Sequence, residues 1–243
     1  MTADFVNTED GSKTLYSTEY QDHYHSTKGA FAETMHVYIS CGLHEVTKNT
    51  SFVNILEVGF GTGLNALCTL SEADKHQLKV NYIGLEPEPI GVEVAEQLDY
   101  PVLFPEKSYH EMFLDMHRLQ GNLPQFFGDH FTLNVLKAKI EDIDLLPLSF
   151  DLVYFDPFKP LTHREVWTAD VFSKIFHSMK YQAILMTYSS GGEVRRAMEN
   201  AGFIVEKIPG PHGKHEITRA RKPAYDESDL ITNLNLCNLS LEE

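Results

Sequence analysis

The sequence is poor in cysteine, in positive charge and in long apolar runs, and each shortage excludes something. Its three cysteines, Cys41, Cys68 and Cys237, are far apart and form no CxxC pair. That excludes a disulfide framework and a cysteine zinc site. No apolar stretch approaches the ~20 residues of a membrane span. The N-terminal stretch MTADFVNTEDGSKT is polar and acidic, unlike a secretory leader. A cytoplasmic location and no membrane partner are expected. Lys and Arg number 20 against 35 Asp and Glu, a formal net charge of −15. Such a balance excludes a chain that coats nucleic acid nonspecifically, while leaving room for a local basic patch.

What is present suits a globular fold. The 243 residues are 42% hydrophobic, enough for one large domain with a core. Residues 29–46, with Phe31, Met35, Tyr38 and Ile39 at helical spacing, read as an amphipathic helix, preceded by two short β-like pieces at most. From residue 51 to about 202, strand and helix patterns alternate. Two candidate antiparallel strands, FIVEKIPG and HEITRARK, follow. This order calls for a mostly parallel sheet with helices on both faces. The expected organisation is an N-terminal extension (1–50), a Rossmann-like domain (51–222) and a loosely attached acidic tail (223–243).

In open sheets of this kind, ligands bind beyond the carboxyl ends of the strands. Two segments sit there, EVGFGTG (57–63) and YFDPFKP (154–160). The first is a strand–turn–helix junction with Gly59, Gly61 and Gly63. No lysine follows the last glycine, which argues against a P-loop, and the spacing is GxGxG rather than GxGxxG. With acidic Glu57 ahead and no cation on the ligand side, the turn suits a cationic ligand without phosphate. S-adenosylmethionine (SAM) is such a ligand. Its carboxylate can meet backbone N–H groups at the helix start, and glycines let the backbone approach. Glu86 ends the next strand, where an acid accepts hydrogen bonds from ribose hydroxyls; an exposed strand-end acid is the plain alternative.

Asp156 closes the strand DLVYFD and is followed by Pro157, Phe158 and Lys159. An alkyl amine has a pKa near ~10, and its cationic form has no lone pair for attack. A carboxylate that orients the amine suits methyl transfer to nitrogen, with Phe158 as an apolar wall. A turn-capping aspartate is the structural alternative.

Four blocks carry a resemblance to a known family: EYQDHYHSTKGAFAETMHVYI, EVGFGTGLNAL, YFDPFKPLTHREVWTADVFSKI and MTYSSGGEVRRAMENAGFIVEKIPGPHGKHEI. In this order they resemble the tRNA 5-methylaminomethyl-2-thiouridine methyltransferases, which in many bacteria form the N-terminal half of the bifunctional enzyme MnmC. The resemblance implies a class I SAM-dependent methyltransferase fold, with a mostly parallel seven-stranded sheet and an antiparallel C-terminal hairpin. It implies Asp156 as the catalytic carboxylate, beside Phe158. Glu57, Gly59, Phe60, Gly61, Thr62, Gly63, Asn65 and Glu86 would hold the cofactor. Tyr24, His25, Ser26 and Glu33 would close over it, or form a packed N-terminal hairpin. The substrate implied is an aminomethyl group on a tRNA wobble uridine.

Departures are visible. Pro157 stands where the family commonly has Gly or Ala. AKIED (138–142) replaces the usual Gly-Asp, so that Glu141, Asp142 or a backbone carbonyl must meet the adenine in place of Lys139. No FAD-dependent partner domain follows, as in standalone versions of the enzyme. A tRNA contact is expected from the basic residues Arg195, Arg196, Lys207, Lys214, Arg219, Arg221 and Lys222, with Lys159 near the substrate; a mixed solvated surface is the alternative. The pairs His23/His25 and His212/His215 lack a third ligand, and no metal is expected. A methyltransferase of small amines or proteins, and a SAM-binding module without turnover, remain as rival readings.

Overall fold

The computed structural model describes residues 4–104, 106, 108–118, 123–211 and 214–225. The proposed acidic tail, Cys237 and His212 therefore lie mostly or wholly outside the described residues.

Three short strands open the chain: β1 (Asp4–Asn7), β2 (Lys13–Ser17) and β3 (Asp22–His23), an antiparallel sheet in that order. This is one strand more than the sequence pattern suggests, because β3 is only two residues long. A helical stretch follows: α1 (Ala30–Thr34), a π-helical segment (Met35–Leu43), α2 (His44–Val46) and a 3₁₀ turn (Thr47–Asn49). The sequence predicts one regular helix here. The π winding instead turns Val37, Tyr38, Ile39, Gly42 and Leu43 inward, and such segments recur at functional sites.

Alternation then begins with β4 (Phe52–Val58), α3 (Leu64–His76), β5 (Lys79–Leu85), α4 (Val92–Leu98) and α5 (Ser108–Arg118). It continues through β6 (Gln125–Phe127), β7 (Phe131–Leu136), β8 (Phe150–Phe155), α6 (Ala169–Ser178), β9 (Met179–Thr187) and α7 (Gly192–Asn200). The hairpin β10 (Ile204–Pro209) and β11 (Glu216–Arg221) completes it. Among the described residues the large sheet has eight strands, in the order β10-β11-β9-β8-β4-β5-β7-β6, rather than seven. The addition is β6, an antiparallel edge strand of three residues, too short to show a period of two. The β10–β11 hairpin is antiparallel, as the sequence predicts.

β4 pairs in parallel with β5 on one side and β8 on the other, so the chain reverses direction of travel across the sheet at β4. That is where a cleft opens beyond the strand ends. The period of two then sorts the side chains. Val53 and Ile55 of β4, with Leu152 and Tyr154 of β8, join one core with α3 and the π-helical segment. Leu56, Val58, Val153 and Phe155 join the opposite core with α6 and α7. Glu57 and Asp156 continue the first series and face α3. MFLDMH contributes Phe113, Leu114 and Met116 to the core, as its spacing predicts.

Candidate active site

All three glycines of the turn have positive φ: +88° at Gly59, +52° at Gly61 and +76° at Gly63. A Cβ on Gly59 would lie 2.7 Å from the Asp156 carbonyl oxygen. The turn and the loop after β8 therefore pack backbone to backbone, which only glycine allows. Gly63 caps α3 in the left-handed conformation.

A cavity of about 950 Å³ lies over this junction. Gly59, Gly61, Glu86, Tyr24, Asp156 and Phe158 line it, with Tyr20 and the 138–141 segment. Glu86 Oε2 accepts the Gly61 N–H at 2.8 Å, and Oε1 accepts the Glu88 N–H at 3.0 Å. Each oxygen retains a lone pair for a further donor. Burial raises the Glu86 carboxyl pKa above its usual range. Lys174 donates to the carbonyls of Ile140, Glu141 and Ile143 and holds that segment against the cavity. Glu141 lines the cavity as expected, together with Lys139 and Ile140.

Several expected cofactor residues do not line it. Glu57 is fully buried, and its oxygens are taken by Asn65 Nδ2 at 2.8 Å and the Tyr82 hydroxyl at 2.8 Å. Burial pushes its carboxyl well above the carboxylate range. Thr62 turns inward: its Oγ1 accepts from the Tyr100 hydroxyl at 3.3 Å and lies 3.3 Å from His25 Nε2. Phe60 packs under the turn against Gly63, Gly84 and His117. Asn65 is buried between two acids, donating to Glu57 Oε1 and, at 2.8 Å, to Asp156 Oδ2. These four support the turn from below: Glu57 points to the α3 side by the period of β4, Asn65 meets it from α3, and Phe60 and Thr62 turn inward from the loop itself.

A second cavity, of about 310 Å³, lies on the other side of Asp156. Tyr24, Asp156, Pro157 and Phe158 border both cavities. Ser26 lines the second one and not the first, and its N–H donates to Glu33 Oε2 at 3.2 Å. Glu33, Lys159, Tyr188 and Lys214 line it too. Lys159 pairs with Asp22 at 2.5 Å. Phe158 stacks on Tyr20, centroids 4.3 Å apart, and meets Tyr24 edge-on at 4.9 Å. Its carbonyl accepts from Trp167 Nε1 at 2.8 Å, and the Pro157 carbonyl from the Tyr188 hydroxyl at 2.9 Å.

Burial pushes the Asp156 carboxyl up to about 7. Tyr38 and the Asn65 amide moderate the rise, and the nearby Glu33 charge adds to it. The Tyr38 hydroxyl is buried beside Asp156 without a hydrogen bond of normal geometry. Tyr24 is pushed up to about 12, by burial and then by the Glu86 charge. Burial lowers His25 to about 4, so it is neutral at pH 7.

The basic C-terminal residues do not form one patch. Lys222 is buried and donates to the carbonyls of Phe176 and Met179, both at 2.9 Å. Arg219 pairs with Glu206, and Lys207 with Glu216. Arg221 donates to the Gln182 carbonyl at 3.1 Å. Arg195 and Arg196 lie on α7, and Lys214 in the second cavity. A metal-compatible group among the described residues is His44, Glu72 and His76, distinct from the histidine pairs singled out in the sequence.

A family model described as S-adenosyl-L-methionine-dependent methyltransferase matches residues 105–223. A solved structure, MNMC2 from Aquifex aeolicus, superposes with a TM-score of 0.74 at 27% identity, covering 94% of this chain and 74% of that one. Over residues 105–223 the chain matches the SAM-dependent methyltransferase family. It is an enzyme of the class I fold, and SAM is its cofactor. The tRNA 5-methylaminomethyl-2-thiouridine biosynthesis bifunctional protein MnmC of Azoarcus sp. strain BH72 is 32% identical over 233 residues, 88% of this chain and 34% of that protein. The corresponding protein of Campylobacter hominis is 28% identical over 85% of this chain. The chain thus spans about a third of the length of these curated relatives. Thermotoga maritima spermidine synthase shares the fold, with a TM-score of 0.52 at 16% identity. Among the described residues no helix is long and apolar enough to cross a membrane.

The residues present fit SAM. The first cavity offers a glycine turn that a ligand can approach closely and an acid at the strand end that could accept hydroxyl donors, and Asp156 borders both cavities. Sequence reasoning missed Tyr20, Tyr38, His163 and Tyr188 as site residues. Tyr20 and Tyr38 lie in the first of the four resembling blocks, His163 in the third and Tyr188 in the fourth, but nothing in their spacing sets them apart from core aromatics.

Proposed function

We propose that this enzyme transfers the SAM methyl group to the aminomethyl nitrogen of 5-aminomethyl- or 5-aminomethyl-2-thiouridine at the wobble position of tRNA, in the cytoplasm. The observation that carries this reading is the position of Asp156, at the junction of a cofactor-sized cavity and a smaller one. The similarity to MnmC proteins over most of this chain supports the choice of substrate.

SAM supplies an electrophilic methyl group on a sulfonium. Glu86 would receive the ribose hydroxyls, and the 138–141 segment would border the adenine. In the second cavity the amine arrives as its ammonium form. The Asp156 carboxylate, with a pKa near that of neutral solution, accepts one amine proton. The nitrogen lone pair then forms the new N–CH₃ bond as the S–CH₃ bond breaks, leaving a secondary ammonium. Asp156 passes its proton to solvent before the transfer, so that its regained carboxylate stabilises that developing charge. Phe158, held by Tyr20, Tyr24 and Trp167, forms the apolar wall that keeps the line of transfer dry.

The test is transfer of labelled methyl from SAM to tRNA from a strain lacking this modification. Wild-type protein should place label in a methylaminomethyl nucleoside, and Asp156→Ala should abolish it while still binding SAM. Label appearing only on free amines, or none despite SAM binding, would overturn the tRNA reading.

A further inference from the structure

The second cavity contains an arrangement that recognises alkylammonium ions, and a lysine of the protein occupies it. Lys214 Nζ lies 4.5 Å from the centroid of the Tyr188 ring and 3.4 Å from Glu33 Oε1. Its charge also acts on Asp156. An aromatic face together with carboxylates is the chemistry that holds an organic cation. The Tyr188 ring is fixed by its hydroxyl bond to the Pro157 carbonyl, so its face is preset. Glu33 is fixed by the Ser26 N–H on its other oxygen.

The Glu33–Lys214 contact is loose. At 3.4 Å it exceeds the ~2.7–2.9 Å of a good charge-assisted bond. The cavity's other lysines have acids of their own, Lys28 with Glu9 and Lys159 with Asp22. Lys214 stands apart in resting between an aromatic face and an acid that both open onto the cavity. A lysine ammonium and an aminomethyl ammonium are the same functional group.

We propose that Glu33 and the Tyr188 face, beside Asp156, form a cation seat that Lys214 fills in the free enzyme and that the substrate's aminomethyl ammonium takes by exchange. Glu33 is then the residue that selects a cationic arm over a neutral one of the same shape. The exchange keeps Glu33 supplied with a countercharge before substrate arrives. This deepens the function proposed above and rests on its amine substrate.

The test measures binding of two anticodon stem-loops to the protein loaded with S-adenosylhomocysteine, so that no turnover occurs. One stem-loop carries 5-aminomethyluridine, the other 5-hydroxymethyluridine. Wild type should prefer the amine at least about tenfold, which is the ~1.4 kcal/mol of one charge-assisted contact. Glu33→Gln should cut that preference at least about fivefold, with the hydroxymethyl stem-loop and the cofactor product bound as in wild type, and Glu33→Asp should restore part of it. Lys214→Met should raise the preference, because the internal competitor is gone. Undiminished preference in Glu33→Gln, equal loss of both stem-loops and cofactor product, or no rise in Lys214→Met would overturn the seat. Wild-type protein binding neither stem-loop would instead overturn the tRNA reading itself.

Discussion

In the proposed reaction Asp156 is the residue on which the chemistry turns, and Asn65 is its hydrogen-bond donor. One Asn65 amide nitrogen donates to both Glu57 and Asp156. Burial keeps the Asp156 carboxyl at about 7, and the Asn65 donor lowers it from a still higher value by favouring the ionised form. A carboxylate that must be ionised and an ammonium that must be protonated give a bell-shaped kcat/KM. It should rise with pH through about 7 and fall again through the amine's pKa near ~10. Removing the donor in Asn65→Ala should move the rising limb to higher pH and lower kcat/KM at neutral pH by about 10-fold or more, in line with the ~1–3 kcal/mol cost of an unsatisfied buried acceptor. A pH–rate series on the two proteins reads this directly, and an unmoved limb would remove Asn65 from the tuning of Asp156. The identity of Asp156 was legible in the sequence from its place at the end of a strand. Asn65 was legible as part of a motif, but its partner Asp156 lies 91 residues away and only the fold joins them.

At the scale of elements, the β4–α3 turn and the loop after β8 form one unit. The close approach of Gly59 to the Asp156 backbone makes their separation as small as two chains allow. Gly59→Ala adds a methyl group 2.7 Å from a carbonyl oxygen and also demands a φ of +88° from an L residue. The substitution should push the two loops apart, weaken SAM binding at least about tenfold and lower kcat further, since a misplacement of ~1 Å at the reacting centre costs about 10²-fold. Calorimetric titration with SAM and single-turnover assays would separate the two effects. SAM affinity equal to wild type would contradict the backbone packing described here. The alternation of strand and helix from β4 to α7 was readable because local period and turn residues determine it. The two-residue β3, the three-residue β6 and the π winding at Met35–Leu43 were not, because they are too short or too irregular to leave a period.

For the whole molecule the question is how a chain of net charge −15 would approach the proposed tRNA substrate. The paired and buried states of Arg219, Lys207 and Lys222, and the place of Lys214 against Glu33 and Tyr188, leave Arg195 and Arg196 as the better candidates for phosphate contact. Replacing Arg195 and Arg196 with Gln should weaken tRNA binding uniformly across tRNAs and reduce the salt slope by about 1–2. Lys222→Gln should instead lower the unfolding midpoint and leave the salt slope intact, because its ammonium is spent on the Phe176 and Met179 carbonyls. Filter binding at several salt concentrations, with thermal unfolding alongside, distinguishes these outcomes. An unchanged slope in the α7 variant would place the RNA on another face.

The sequence by itself determined the fold class, the glycine turn, Glu86 and Asp156, because each depends on neighbours within one strand–turn–helix unit. Tertiary structure alone decided the rest. It placed Glu57, Phe60, Thr62 and Asn65 beneath the turn, since the strand period and the packing of α3 set which way they face. It also gathered Tyr24, Glu33, Asp156, Tyr188 and Lys214 around one small cavity. Those residues are scattered along the chain, and their meeting is fixed by sheet order and helix packing, which no local pattern of residues encodes.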